Sequence, residues 1–257
     1  MVIWGIILIV AGVAGFFMAH SMRRDLHALI GAETLKVAEL GMFHSTAVEV
    51  SGPGGFRKVC EVIGAAEPGP NGMLVSELSK TPCVWHRHEV KRRYRHVRYD
   101  SDGRRHTSQR SEKVADLTSD QPILVRDETG AVLVHPSGLR SDAMEQVVSR
   151  FEPHNAGGGP SIFGFRLDNW NRDDTIGFEY KEWVVRPGVR LYVHGEASDQ
   201  TGQLMFNRPQ NGGPFIASTK TEEELRRNTT LLQKVFAFGG LAAMLGGLAL
   251  VIVGVIQ

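Results

Sequence analysis

Hydrophobic positions along this chain fall into three patterns. At both ends they are continuous: Trp4 to Ala19 and Val235 to Ile256 contain no charged residue. At about 1.5 Å rise per residue, each run reaches across all or most of a hydrocarbon core roughly 30 Å thick. Backbone in lipid must satisfy its own hydrogen bonds, so both runs predict membrane-spanning helices, over residues 2–19 and 235–256. After the first run, Ser21 to Gly41 places Leu26, Leu29, Ile30 and Leu40 at near-helical intervals among Arg23, Arg24, Asp25 and Glu33. This predicts an amphipathic juxtamembrane helix over 20–41, with Gly41 as its stop. From residue 45 to 219 the pattern changes to short alternating apolar runs, the mark of strands.

Turn residues bound these runs. Val59-Cys60-Glu61-Val62-Ile63-Gly64 alternates, Pro68-Gly69-Pro70-Asn71-Gly72 turns the chain, and Met73-Leu74-Val75 follows. Pro82 opens one long predicted strand through Val90 and Tyr94 to Tyr99, closed by Ser101-Asp102-Gly103. Ile123-Leu124-Val125 and Val132-Leu133-Val134 flank Asp127-Glu128-Thr129-Gly130, a hairpin signal. His154 to Pro160 is glycine-rich without apolar period and reads as a mobile loop. Tyr180 to Val185, Leu191-Tyr192-Val193, Leu204-Met205-Phe206 and Phe215-Ile216-Ala217 resume the strands. Thr221 is placed to cap a connecting helix over 221–233, with Glu224 at the capping-box position. Val62-Ile63-Gly64-Ala65-Ala66 also resembles Val193-His194-Gly195-Glu196-Ala197, which fits either two related β halves or two similar hairpins.

Composition narrows the classes. About 190 residues between the spans suffice for one ordinary domain. A net charge of +1 argues against a protein dominated by nucleic-acid attraction. Cys60 and Cys83 are the two cysteines, and both sit in apolar runs, as buried free thiols do. No Lys or Arg precedes Arg23, and Ala19-His20-Ser21 is a poor cleavage site, so the first span reads as an uncleaved anchor. Arg23, Arg24, Arg226, Arg227 and Lys234 lie on the loop side of the spans. The positive-inside rule then places the loop in the cytoplasm, with a prokaryotic plasma membrane as the expected location.

An ordered set of motifs carries a family resemblance. Val62-x-Gly64-x-Ala66, Pro82-Cys83-Val84-Trp85-His86-Arg87 and Asp127-x-x-Gly130-x-Val132-x-Val134-x-Pro136 are followed by Glu179, Glu182-Trp183-Val184-Val185 and Gly188. Leu191-Tyr192-Val193-x-Gly195-Glu196-Ala197, Pro214-Phe215-Ile216 and Glu222-x-Glu224-Leu225 complete it. The set resembles the GIDE family, whose β domain is also called the beside-a-membrane domain. The resemblance implies a membrane-anchored α+β protein, with a mainly antiparallel β domain between two transmembrane helices. The best-known relatives are mitochondrial E3 ligases for ubiquitin or a ubiquitin-like protein, with a zinc-binding RING after the second membrane helix. The sequence ends at Gln257, and Cys60 and Cys83 form no Cys-x-x-Cys pair. The expectation is therefore a noncatalytic binding or scaffolding module. Its alternatives are the membrane and substrate-recognition part of a ligase-like system, or an unrecognised hydrolase.

Candidate chemistry is sparse. Cys83, His86 and His88 suggest a metal site, but in a strand His86 and His88 face one side and Cys83 the other. No Gly-x-Ser-x-Gly, His-Glu-x-x-His or Walker-type loop is present. Gly157-Gly158-Gly159 lacks the Lys a phosphate cradle needs, and Asp173-Asp174 reads as a solvated loop. No catalytic residue, metal or cofactor is therefore assigned. The densest charge lies from Arg87 to Arg110, and Arg87, Lys91, Arg92, Arg93, Arg95 and Arg98 are candidates for contact with anionic lipid headgroups. An exposed strand edge kept soluble by charge is the competing reading. In the spans, Ala11, Gly15 and Ala19, and Gly239, Ala243 and Gly247, form rows of small residues four apart. Such rows let helices approach closely, within one molecule or between copies. The expected partners are the bilayer, anionic lipid and an unidentified protein; a homo-oligomer stays open.

Overall fold

The structure is a computed structural model, and it describes residues 2–30, 32–154, 161–162, 165–166 and 174–256. Its helices are α1 (Val2–Ile30), α2 (Val37–Ser51) and α3 (Glu222–Ile256). Helices α1 and α3 are long and apolar enough to cross a membrane, over Val2–His20 and Leu231–Gly254. Gly5 lies against Gly247 and Val251, and Gly12 against Gly240 and Met244, so the two helices pack antiparallel. Away from this seam Trp4 and Phe238 are each 70 % exposed, an apolar surface suited to lipid. Beyond its apolar stretch α3 begins nine residues earlier, at Glu222. At about 1.5 Å per residue this leaves roughly 14 Å of helical stalk below the domain. Thr221 and Glu224 form the expected capping box: the Glu224 N–H donates to Thr221 Oγ1 (3.2 Å) and the Thr221 N–H to Glu224 Oε2 (3.1 Å).

The juxtamembrane helix expected over 20–41 is divided. α1 runs on to Ile30, and a new helix starts at Val37 and passes straight through Gly41 to Ser51. The break has a tertiary cause. Residues 33–35 lie along the strand that contains Glu61: the Leu35 N–H donates to Glu61 O (2.8 Å) and the Glu61 N–H to Glu33 O (2.9 Å). Leu35, Val37 and Leu40 are buried in the core of the β domain. Burying three apolar side chains outweighs one continuous helix.

The described residues form fourteen strands: β1 (Arg57–Glu67), β2 (Leu74–Val75), β3 (Pro82–Cys83), β4 (Trp85–Tyr99), β5 (Arg105–Thr118), β6 (Ile123–Arg126) and β7 (Ala131–Val134). Then come β8 (Glu145–Pro153), β9 (Ser161–Ile162), β10 (Phe165–Arg166), β11 (Thr175–Val185), β12 (Arg190–Ser198), β13 (Met205–Asn207) and β14 (Ile216–Ser218). The single strand expected from Pro82 to Tyr99 is broken at Val84, whose N–H donates to Val185 O while β3 pairs with β2. β1 pairs with β6, β6 with β7, β7 with β13, β13 with β12, and β12 with β1 again. These five strands close on themselves, which removes their edges. All these pairings are antiparallel except β7 with β13. The interior holds Cys60, Val62, Ile123, Val125, Val134, Leu191, Val193 and Phe206, with Leu40 of α2 packed in.

The two sequence pieces that resemble each other are neighbours here, with Val62 opposite Val193. Each glycine answers to a close crossing. A Cβ on Gly64 would lie 2.4 Å from Arg126 O, and one on Gly195 2.6 Å from the Phe215 ring. Outside the barrel, β5, β4, β11 and β8 form an antiparallel sheet in that order. Trp85 and Val185, at its base, belong to the barrel core, while Val90, Phe178 and Tyr180 form a second small core above. The α+β, mainly antiparallel domain between two flanking apolar helices is the architecture expected.

An arginine arm beyond a neutralised sheet

At the base of the four-stranded sheet four of the basic residues named from the sequence are consumed by acids on the same strand, on adjacent strands or just ahead of β11. Arg87 donates from Nε to Asp116 Oδ1 (2.8 Å) and from Nη2 to Oδ2 (2.9 Å). This bidentate pair, joined by Lys113 at 2.6 Å, holds the Asp116 carboxyl down at about 2. Lys91 pairs with Glu89 (2.7 Å), and Arg93 with Glu179 (2.8 Å). Arg92 is 1 % exposed: it donates to Glu112 (2.5 Å), Asp174 and Thr175, and stacks on Tyr94. Four of the six candidates for lipid contact are therefore tied into the fold. The sequence signal was charge density, and it carries no information about which acids on distant strands share the face.

Above this level the sheet is described by two strands. Among the described residues β11 pairs with β4 as far as Thr175 opposite Tyr94, and β4 and β5 continue together to Tyr99 and Arg105. The result is a two-stranded arm closed by the turn at Asp100 to Gly103, where the Asp100 carboxylate accepts from the Arg104 N–H (2.8 Å) and from His106 (3.0 Å). Arg95, Arg98, Arg104, Arg105 and Arg110 are exposed and make no ion pair among the described residues. Arg95, Val97, Tyr99 and Arg105 share one face, and Arg98 and Arg110 the other, by their register across the two strands. The base of the sheet meets the stalk. Val184 and Val185 line a cleft of about 390 Å³ with Thr219 and Lys220, just ahead of α3. From Trp85 to Tyr99 at about 3.3 Å per residue, the arm's tip stands roughly 45 Å from that junction.

Other buried or half-buried carboxylates hold segments in place, and sequence pattern missed nearly all of these contacts. Glu182 is fully buried and accepts from the Leu78 N–H (2.7 Å), the Ser79 N–H (2.8 Å) and Ser76 Oγ (3.1 Å). Burial pushes its carboxyl up, and these donors outweigh burial and keep it below the usual range. Glu61 is buried likewise: burial raises it, while His194, Tyr192 and Thr34 bring it down on balance. Its Oε2 accepts from Thr34 Oγ1 (3.1 Å), so it fastens the segment that joins α1 to the barrel. Asp127, in the predicted hairpin turn, accepts from the Val37 N–H (2.8 Å) and thereby caps α2 from far away in sequence. Asp199 accepts from the N–H groups of Gly54 (2.9 Å) and Phe56 (3.0 Å). Each of these carboxylates serves packing and turn geometry.

The remaining candidates fall in several places. Cys60 and Cys83 are free and fully buried, and burial pushes their thiols to about 12 and about 11. Among the described residues no group of three His, Cys, Asp or Glu is placed to hold a metal ion. Asp174 binds Arg92; Asp173 and residues 155–160, including the triple glycine, lie outside the described residues. In the helix pair, Ala19, Gly15 and Gly247 face the seam, Ala243 is half-buried, and Ala11 and Gly239 face outward. The buried positions are Gly5, Gly12 and Ala19 against Gly240 and Gly247, spaced by seven rather than four. Antiparallel helices wound closely about each other return to one seam every 3.5 residues, so small residues count at that period.

The model of the GIDE family, described as E3 Ubiquitin ligase, matches residues 92–253. That is well over half of the chain, and it takes in the arm, most of the sheet, most of the barrel and the second apolar helix. The chain belongs to the GIDE family. No curated protein and no solved structure matches it. The match begins within β4, so the barrel strand β1, with its Val62-x-Gly64-x-Ala66 motif, lies outside it.

Proposed function

We propose that this GIDE-family chain is a membrane-tethered, noncatalytic binding and scaffolding module whose recognition element is the arginine arm. One observation carries the reading: charge is neutralised pair by pair at the sheet base, yet five arginines on the arm make no ion pair among the described residues. Unpaired arginine clusters next to exposed tyrosine suit planar recognition of carboxylate or phosphate. The internal use of Glu61, Glu182, Asp127 and Asp199 in packing supports a binding role over catalysis. The anionic contact expected of Arg87 to Arg98 is thereby narrowed to Arg95 and Arg98 and extended to Arg104, Arg105 and Arg110.

The test uses the full chain in nanodiscs of neutral lipid, titrated with labelled polyglutamate and with anionic vesicles. Both probes should bind in low salt, and Arg104→Glu with Arg105→Glu should abolish binding. Unchanged binding by that double variant would refute the reading. The loop is proposed to lie in the cytoplasm, with a prokaryotic plasma membrane as the setting, on the strength of Arg23, Arg24, Arg226, Arg227 and Lys234. Proteolysis of the loop only in inverted vesicles is the expected outcome; cleavage from the outside would reverse the assignment. The family's description favours a second reading, in which the chain serves as the membrane and substrate-recognition part of a ubiquitin-ligase system.

A further inference from the structure

The arm offers more than charge, because among the described residues one of its strands, β5, is the edge of the sheet. Hydrogen bonding in an antiparallel pair alternates, so each residue turns its N–H and C=O either to its partner or away. The Asp100 N–H donates to Arg104 O (3.1 Å), and the Arg95 N–H donates away from β5, to Asp174 O (2.8 Å). With Tyr99 opposite Arg105 and His96 opposite Ser108, this phase commits His106, Ser108 and Arg110 to β4. Arg105, Thr107, Gln109 and Ser111 therefore present their backbone donors and acceptors to the open side. Residues 105–111 are all exposed.

Long free edges in folded proteins are normally blunted by proline, a bulge or lysine. Residues 105–111 contain neither proline nor lysine, and the register irregularity of this strand pair lies lower down, at Val90/Lys91. What guards the edge is arginine. Two copies of β5 laid edge to edge would bring together two stretches that carry Arg104, Arg105 and Arg110 and no acid, which disfavours self-pairing. An acidic strand meets the opposite situation. Its alternate side chains would face Arg95 and Arg105 on one side of the sheet and Arg98 and Arg110 on the other.

We infer that β5 of the arm takes an extended acidic polypeptide segment as an additional strand, over Arg105 to Ser111. This rests on the arm being the recognition element and adds the partner's chemistry: a polypeptide, extended, with carboxylates at alternate positions. Main-chain pairing supplies affinity in such additions, and side-chain contacts supply selectivity. A lipid surface has carboxylate or phosphate but no strand edge, so the two partners are separable.

The experiment uses the full chain in neutral-lipid nanodiscs and a blocked octapeptide of alternating threonine and glutamate. Its comparison is the same peptide N-methylated at every second residue, which keeps the charge and removes one edge's donors. The unmodified peptide should bind at least tenfold more tightly than the N-methylated one. Thr107→Pro and Gln109→Pro remove outward N–H groups without touching the bonds to β4 and should each weaken the peptide at least tenfold, while anionic vesicles bind as before. Equal affinity for the two peptides would overturn strand addition, and this comparison holds whatever the variants do to folding. Binding of vesicles but of neither peptide would overturn it in favour of lipid. If Arg105→Glu with Arg110→Glu abolishes peptide binding while N-methylation does nothing, the arm remains the recognition element and only the strand addition fails. If charge reversal changes nothing, both fail.

Discussion

Replacing Glu182 by glutamine removes a single charge from the interior and should destabilise the domain measurably. The carboxylate is fully buried and accepts three hydrogen bonds, from the N–H groups of Leu78 (2.7 Å) and Ser79 (2.8 Å) and from Ser76 Oγ (3.1 Å). An amide keeps the shape but has one acceptor oxygen, so its NH₂ must face a donor. One charge-assisted bond is lost and one backbone N–H is left without an acceptor, which together cost about 3 kcal/mol. With a urea slope of about 2 kcal/mol per molar, the unfolding midpoint should fall by about 1.5 M. The fluorescence of fully buried Trp85, in the full chain in detergent micelles, reports the transition. The effect should also depend on pH in a fixed direction. The folded carboxyl lies below the ordinary value of 4.5, so its stabilising contribution is complete above that pH. It disappears as pH falls through the depressed folded value, and wild type and variant should then converge. A midpoint shift below about 0.5 M at neutral pH would refute the assignment of Glu182 as the anchor of the 76–81 loop.

Other outcomes follow from the same geometry. Gly247→Leu should lower the thermal stability of the helix pair in detergent, because a Cβ there would lie 2.6 Å from Gly5 O, whereas Gly239→Leu, with nothing within 4 Å, should leave it unchanged. Asp127→Ala should cost about 1–2 kcal/mol through loss of the α2 cap and speed amide exchange at Val37 and Ala38 in hydrogen-exchange mass spectrometry. Cys60 and Cys83, with thiols pushed up to about 12 and about 11, should resist maleimide at pH 8 in the native protein and react fully once it is unfolded. Labelling of either native thiol within minutes would contradict their burial.

Elements with strong local signals were legible in the sequence. The apolar ends, the Asp127 to Gly130 turn and the Thr221/Glu224 cap each write their chemistry within a few residues, and each appears where expected. Strands β5 and β8 were harder to read, since Arg105–Thr118 and Glu145–Pro153 are polar for most of their length and lack alternation. They are strands because β4 and β11 lie beside them. The break before Val37 escaped for a related reason: the helical period of Ser21 to Gly41 is genuine, but pairing of residues 33–35 with Glu61 and burial of Leu35 override it.

The sequence by itself determined that this is a β-rich chain flanked by two apolar helices and that its basic charge is concentrated from Arg87 to Arg110. Hydropathy and turn chemistry are local quantities, so one chain suffices to read them. Only the tertiary structure decided that the barrel closes, because β7 meets β13 across some seventy residues of intervening chain. It alone decided which arginines are paired. Arg92 is neutralised by Glu112 and Asp174, and Arg93 by Glu179, whereas Arg95, Arg98, Arg104, Arg105 and Arg110 make no ion pair among the described residues. Charge density belongs to the sequence; the pairing that cancels it belongs to the fold.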